Sequence, residues 1–130
     1  MVRFRPRLAA FIGHPDYPRR LQITWSYGGD DEGSGMPDRE DGIAMEEMED
    51  SLVRAMEASR AGSLAFVFTH RGAREWHFYV AEAANLDAII NEALADSPGL
   101  PIELMIADDP QWSELAGLLD SVKARGAHDA

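Results

Sequence analysis

Leu64-Ala65-Phe66-Val67-Phe68-Thr69-His70-Arg71-Gly72-Ala73-Arg74-Glu75-Trp76-His77-Phe78-Tyr79-Val80 is the stretch on which the fold turns. Its first six residues form a short apolar run rich in aromatic and β-branched side chains. It is too short for a helix and suits a strand covered on both faces. His70 to Ala73 carry the turn, with Gly72 supplying backbone freedom. From Arg74 the pattern alternates: Trp76, Phe78 and Val80 fall on one side, and Glu75, His77 and Tyr79 on the other. The two segments therefore read as a hairpin.

Upstream, Leu21, Ile23, Trp25 and Tyr27 alternate with Gln22, Thr24 and Ser26, which marks an earlier strand with one buried face. Residues 28–42, rich in Gly, Asp and Pro, make a loop. Met45, Met48, Leu52, Ala55 and Met56 then recur at three and four, predicting a helix from about Ile43 to Ser59 with Asp41 as its N-cap. Downstream, Asn85 caps a helix carrying Leu86, Ile89, Ile90, Ala93 and Leu94 inward. Ile102, Leu104 and Ile106 give a further strand, and Asp109-Pro110 reads as a cap and first turn of a last helix with Trp112, Leu115, Leu119 and Val122 inward. Residues 123–130 read as a flexible tail.

The order β-α-β-β-α-β-α predicts an α+β, ferredoxin-like two-layer sandwich, with an antiparallel four-stranded sheet and a helix at the C-terminal end. In that architecture the first and third strands are central neighbours. Residues 21–122 make a single domain, preceded by residues 1–20 as a basic arm or extra strand. The sheet face away from the helices is expected to be open, displaying Thr24, Glu75, His77 and Tyr79, with His70 and Arg71 at the hairpin end.

The composition narrows the function classes. The 130 residues carry 12 Lys and Arg against 23 Asp and Glu, a net charge of -11, and no cysteine. Thiol catalysis, disulfide scaffolds and cysteine-ligated metals are excluded, and a reducing, cytoplasmic setting is expected. No apolar run reaches membrane-spanning length. Residues 1–20 hold five arginines against Asp16, residues 29–50 ten carboxylates against Arg39, and residues 51–130 six basic and twelve acidic groups. Nucleic acid is a poor partner for such a surface, because its affinity depends on Lys and Arg displacing counterions. The basic arm is better read as attracted to its own acidic domain.

Several constellations invite chemistry. Asp30, Glu32, Ser34, Gly35 and Asp41 imitate calcium-loop positions within 30–41, but Asp41 replaces the long bidentate Glu and Pro37 disturbs the loop. The bland alternative is a solvated loop. His77 with Glu75 or Tyr79 is a candidate acid–base group, which would require a concave, partly dry pocket. Arg74 and Glu75 offer ordinary cross-strand charge pairing, and Asp108 and Asp109 are explained by helix capping. No nucleophile elbow, phosphate loop, dinucleotide fingerprint or zinc motif is present. No catalytic residue, metal site or cofactor is assigned. The expected function is a binding or regulatory module that recognises a protein or small molecule through the open face, and a homodimer would be one way of covering that face.

An aromatic-bearing first strand, Gly35-Met36-Pro37 before acidic residues, Met48-Glu49-Asp50, the hairpin from Thr69 to Tyr79, and Asp109-Pro110-Gln111-Trp112 occur in this order. Over about residues 21–119 the chain thereby resembles the bacterial domain-of-unknown-function 695 family. The resemblance implies no activity. Similar domains accompany a ribonuclease-regulator-like domain, which implies a binding or regulatory role by association.

Overall fold

A computed structural model describes residues 2–4, 12–27, 39–70, 72–82, 85–97 and 99–129. In chain order the elements are β1 (Val2–Phe4), β2 (Arg19–Ser26), α1 (Arg39–Ala58), β3 (Gly62–His70), β4 (Ala73–Val80), α2 (Leu86–Ala93), β5 (Ile102–Asp108) and α3 (Ser113–Asp129). The strands form one sheet in the order β1-β3-β4-β2-β5, every neighbouring pair antiparallel. The four expected strands, β2 to β5, take the ferredoxin-like arrangement with β2 and β4 central. β1 adds an edge strand beside β3.

The alternation in β2 and β4 sends Leu21, Ile23, Trp25, Trp76, Phe78 and Val80 to one face. There they pack with Met45, Met48, Leu52 and Met56 of α1 and with Leu86 and Ile90 of α2. Burying that many large apolar groups, at about 25 cal/mol per Å² removed from water, drives the closure of this layer. Asn85 caps α2 as expected, its Oδ1 accepting from the Ala88 amide at 3.4 Å. α1 begins at Arg39, so Asp41 lies in its first turn and is not the cap. It ends where Arg60 adopts φ 57°, with the Ala61 amide donating to Met56 O and the Arg60 amide to Glu57 O. Those are the paired bonds of a Schellman stop.

The opposite face is not open, which corrects the sequence expectation. α3 lies across it: Leu115 is buried with Ala65, Phe66, Tyr79 and Trp112, and Tyr17, Phe68, Leu118 and Leu119 pack around them. The apolar run of β3 does have both faces covered. Pro110 is not the first helical residue, because Trp112 takes φ 56° and α3 starts only at Ser113. That turn lays the Trp112 ring flat on Tyr79, with centroids 4.1 Å apart and an interplanar angle of 4°. The segment from Lys123, read from sequence as a tail, continues α3 to Asp129; Lys, Arg and Ala there are good helix formers.

A bulge in β3 sets what this covered face presents. Leu64 pairs with Phe78, but Phe66 pairs with His77, so Ala65 is an extra residue. The insertion reverses the phase of the strand. Leu64 and Val67 join the α1/α2 core, while Ala65 and Phe66 both face α3.

Candidate functional site

Between α3 and the sheet runs a groove of about 400 Å³, lined by Phe66, Phe68, Glu75 and His77 below and by Ser113, Glu114, Gly117, Leu118 and Ser121 above. Ser113, Gly117 and Ser121 stand four residues apart, on one stripe of the helix. A Cβ added at Gly117 would meet nothing within 4 Å. Small side chains thus leave the space under this part of α3 unfilled.

The floor is a chain of polar side chains. His77, 4% exposed, stacks on Phe66 with centroids 4.2 Å apart. Arg20 donates to its Nδ1 at 2.9 Å, and a guanidinium cannot accept, so this nitrogen holds the lone pair. His77 Nε2 then carries the proton and donates to Glu75 Oε1 at 2.9 Å. His70 Nε2 donates to the other oxygen, Oε2, at 2.8 Å. Burial works to raise the Glu75 pKa, but the hydrogen bonds from His77 and His70 outweigh it and hold the carboxyl below its ordinary value. For His77, burial, aided by the Arg20 charge, outweighs the bond to Glu75 and pushes the pKa down. At neutral pH the floor therefore offers a carboxylate fixed by a neutral imidazole.

The chain continues beneath α3. Arg20, its side chain 10% exposed, also donates to Gln22 Oε1 at 3.0 Å, and its Nε lies 3.8 Å from Asp109 Oδ2. Asp109 accepts from the Ser113 amide at 2.7 Å, the Glu114 amide at 3.3 Å and the Tyr79 hydroxyl at 2.7 Å. Burial opposes ionisation of Asp109, but these donors prevail and lower its pKa. Burial and the bond to Asp109 raise that of Tyr79. Asp109 thus ties the start of α3 to the sheet, and capping accounts for it as expected. Asp108 instead pairs with Arg19 at 3.2 Å.

Of the residues singled out from sequence, Glu75, His77 and His70 form one hydrogen-bonded unit. Tyr79 is sealed under Trp112 and anchors α3, so no ligand can reach it. Thr24 is half-buried and accepts from Gln22 at 3.2 Å. Arg71 and residues 30–38 of the calcium-like loop lie outside the described residues. Across the β3–β4 pair Arg74 donates to Thr69 Oγ1 at 2.8 Å and Glu75 takes His70, while His77 of the same strand takes the other Glu75 oxygen. Among the described residues, no three His, Asp or Glu side chains gather in a way that could hold a metal ion.

The sequence reading missed Arg20, Phe66, Phe68, Glu114 and Gly117. Arg20 falls within the basic arm by sequence, although it shares parity with Gln22 and Thr24. The four-residue spacing of Ser113, Gly117 and Ser121 was a second unused signal.

A profile described as a family of unknown function, DUF695, matches residues 1–116. The chain belongs to this family. The DUF695 match takes in every sheet residue of the groove, together with Ser113 and Glu114, and ends before Gly117. No curated protein and no solved structure matches the chain. No helix among the described residues is long and apolar enough to cross a membrane.

Proposed function

We propose that this domain is a recognition module whose groove takes a positively charged group, the guanidinium or ammonium of a partner protein's side chain or of a small amine. The observation that carries this reading is Glu75, an oriented carboxylate on the groove floor, with the Phe66 and Phe68 rings beside it and Glu114 above. Carboxylate and aromatic faces together attract cations. The lining contains no Lys or Arg, and the net charge of -11 favours approach of a cation. Such a role suits the cytoplasm, as does a sequence without cysteine.

An acid–base enzyme centred on His77 is the less favoured reading. The groove is concave there, but both ring nitrogens are engaged, and protonation would set an imidazolium against the Arg20 guanidinium. Calorimetric titration with agmatine and putrescine, against acetate and phosphate, tests the proposal. Saturable binding of the cations alone, lost in both Glu75→Gln and Gly117→Phe, is expected. Binding of the anions, or cation binding indifferent to both substitutions, overturns it.

A further inference from the structure

Strand β5 ends the sheet, and among the described residues nothing pairs with its outer edge. Leu104, Met105 and Ile106 on it are 46%, 47% and 43% exposed. Edge strands are ordinarily blunted by charge, proline or a bulge. Here three consecutive large apolar residues occupy the middle of the edge, with Glu103 and Asp108 only at its flanks.

The ladder fixes which main-chain groups point outward. The Asp109 amide donates to Pro18 O, in register with the pairing of Arg20 to Ala107 and Gln22 to Met105. Bonding alternates along an antiparallel strand, so Glu103, Met105 and Ala107 bond to β2, and Leu104, Ile106 and Asp108 direct their N–H and C=O groups away from it.

We propose that β5 pairs with β5 of a second copy of this chain, antiparallel, about a two-fold axis at Met105. In that register Leu104 faces Ile106 of the partner and Ile106 faces Leu104, each pair exchanging both main-chain bonds, while the two Met105 side chains meet on the axis. Glu103 falls opposite Ala107, and Asp108 opposite Ile102, so no like charges face each other. A slip of two residues in one direction sets Glu103 against Met105; in the other it sets Asp108 against Leu104. Apolar matching thus selects one self-complementary register, since only the Met105 axis sets Leu104, Met105 and Ile106 entirely against one another, and an isologous two-fold contact closes the assembly at a dimer. The sheets of two copies become one continuous sheet, and the groove, on the β3 and β4 side, is left free.

The chain has no cysteine, which makes crosslinking at single positions clean. The full-length protein is measured by light scattering at roughly 0.15 M ionic strength, where repulsion between acidic copies is screened beyond about 8 Å. A mass of two chains is expected. Ile106→Pro removes an outward N–H that the β2 ladder does not use, and it should reduce the mass to one chain with unchanged circular dichroism. Met105→Cys should form a disulfide-linked dimer on mild oxidation at least about tenfold faster than Leu104→Cys, since only residues directly opposed come within disulfide reach. The crosslinking comparison stands even if Ile106→Pro unfolds. A one-chain mass for the wild type, a dimer that survives Ile106→Pro, or equal crosslinking at both positions overturns the proposal.

Discussion

Replacing Asp109 with alanine should loosen α3 more than any other single polar change on this face. The carboxylate serves four partners at once: the Ser113 and Glu114 amides, the Tyr79 hydroxyl and the Arg20 guanidinium. Loss of a helix cap costs about 1 kcal/mol. A buried Tyr79 hydroxyl without its acceptor adds about 1 to 3 kcal/mol. Removing one partner of a buried ion pair costs about 3 to 5 kcal/mol, but the Arg20–Asp109 contact is 3.8 Å and carries no hydrogen bond, so its share falls below that range. The three losses share one side chain and do not add fully. The expected total is about 3 to 5 kcal/mol, or about 15 °C in Tm at about 2.1 cal/mol/K per residue. Asp109→Asn keeps an acceptor and the shape while losing the charge, and should cost about half as much. Tyr79→Phe loses the bond to Asp109 and the longer one accepted from the Leu115 amide at 3.4 Å, together about 1 to 2 kcal/mol. Urea unfolding of the three variants reads the series. A loss under about 1 kcal/mol for Asp109→Ala, or Tyr79→Phe as damaging as Asp109→Ala, would refute the view that this carboxylate anchors the helix.

Gly117→Ala should stabilise the protein by up to about 1 kcal/mol in thermal melts, since Ala is the better helix former and its methyl enters open groove. Gly62→Ala should do the reverse: its Cβ would lie within van der Waals contact of the backbone at Tyr79 O and Val80 Cα, and a loss of about 2 kcal/mol or more is expected in denaturant titrations. Below neutrality the pH dependence has one sign. His77 is held neutral, its folded pKa below its unfolded value, so its contribution is present above about pH 6.5 and is lost as pH falls from there through the folded pKa. The lowered Glu75 and Asp109 act in the same direction at more acidic pH. Melting temperature should therefore drop between neutrality and mild acid, and His77→Gln should flatten that part of the profile.

The layer containing α1 and α2 was legible because period two and period 3.6 in its residues agree with one packing arrangement. The central pairing of β2 with β4 followed from element order alone. The closed face was harder to read. The apolar run from Leu64 to Phe68 announced two covered faces, yet the cover could not be assigned because Trp112 enters α3 through a left-handed residue that the Asp109-Pro110 pattern conceals. The bulge at Ala65 was equally hidden. Simple alternation would have placed Phe66 with Leu64 in the main core, when the extra residue turns it to stack on His77. His77 and Glu75 were found as strand neighbours. Their partners Arg20 and His70 come from other strands or the far end of the hairpin, where only register brings them within bonding distance.

The most direct test of the groove as a cation site is a nuclear magnetic resonance titration of the isotope-labelled chain with agmatine. Saturable shifts confined to the amides around Glu75, His77, Glu114 and Gly117, abolished in Glu75→Gln, are the predicted result. Shifts scattered over the acidic surface of α1, or a groove response that persists without the Glu75 carboxylate, would contradict it.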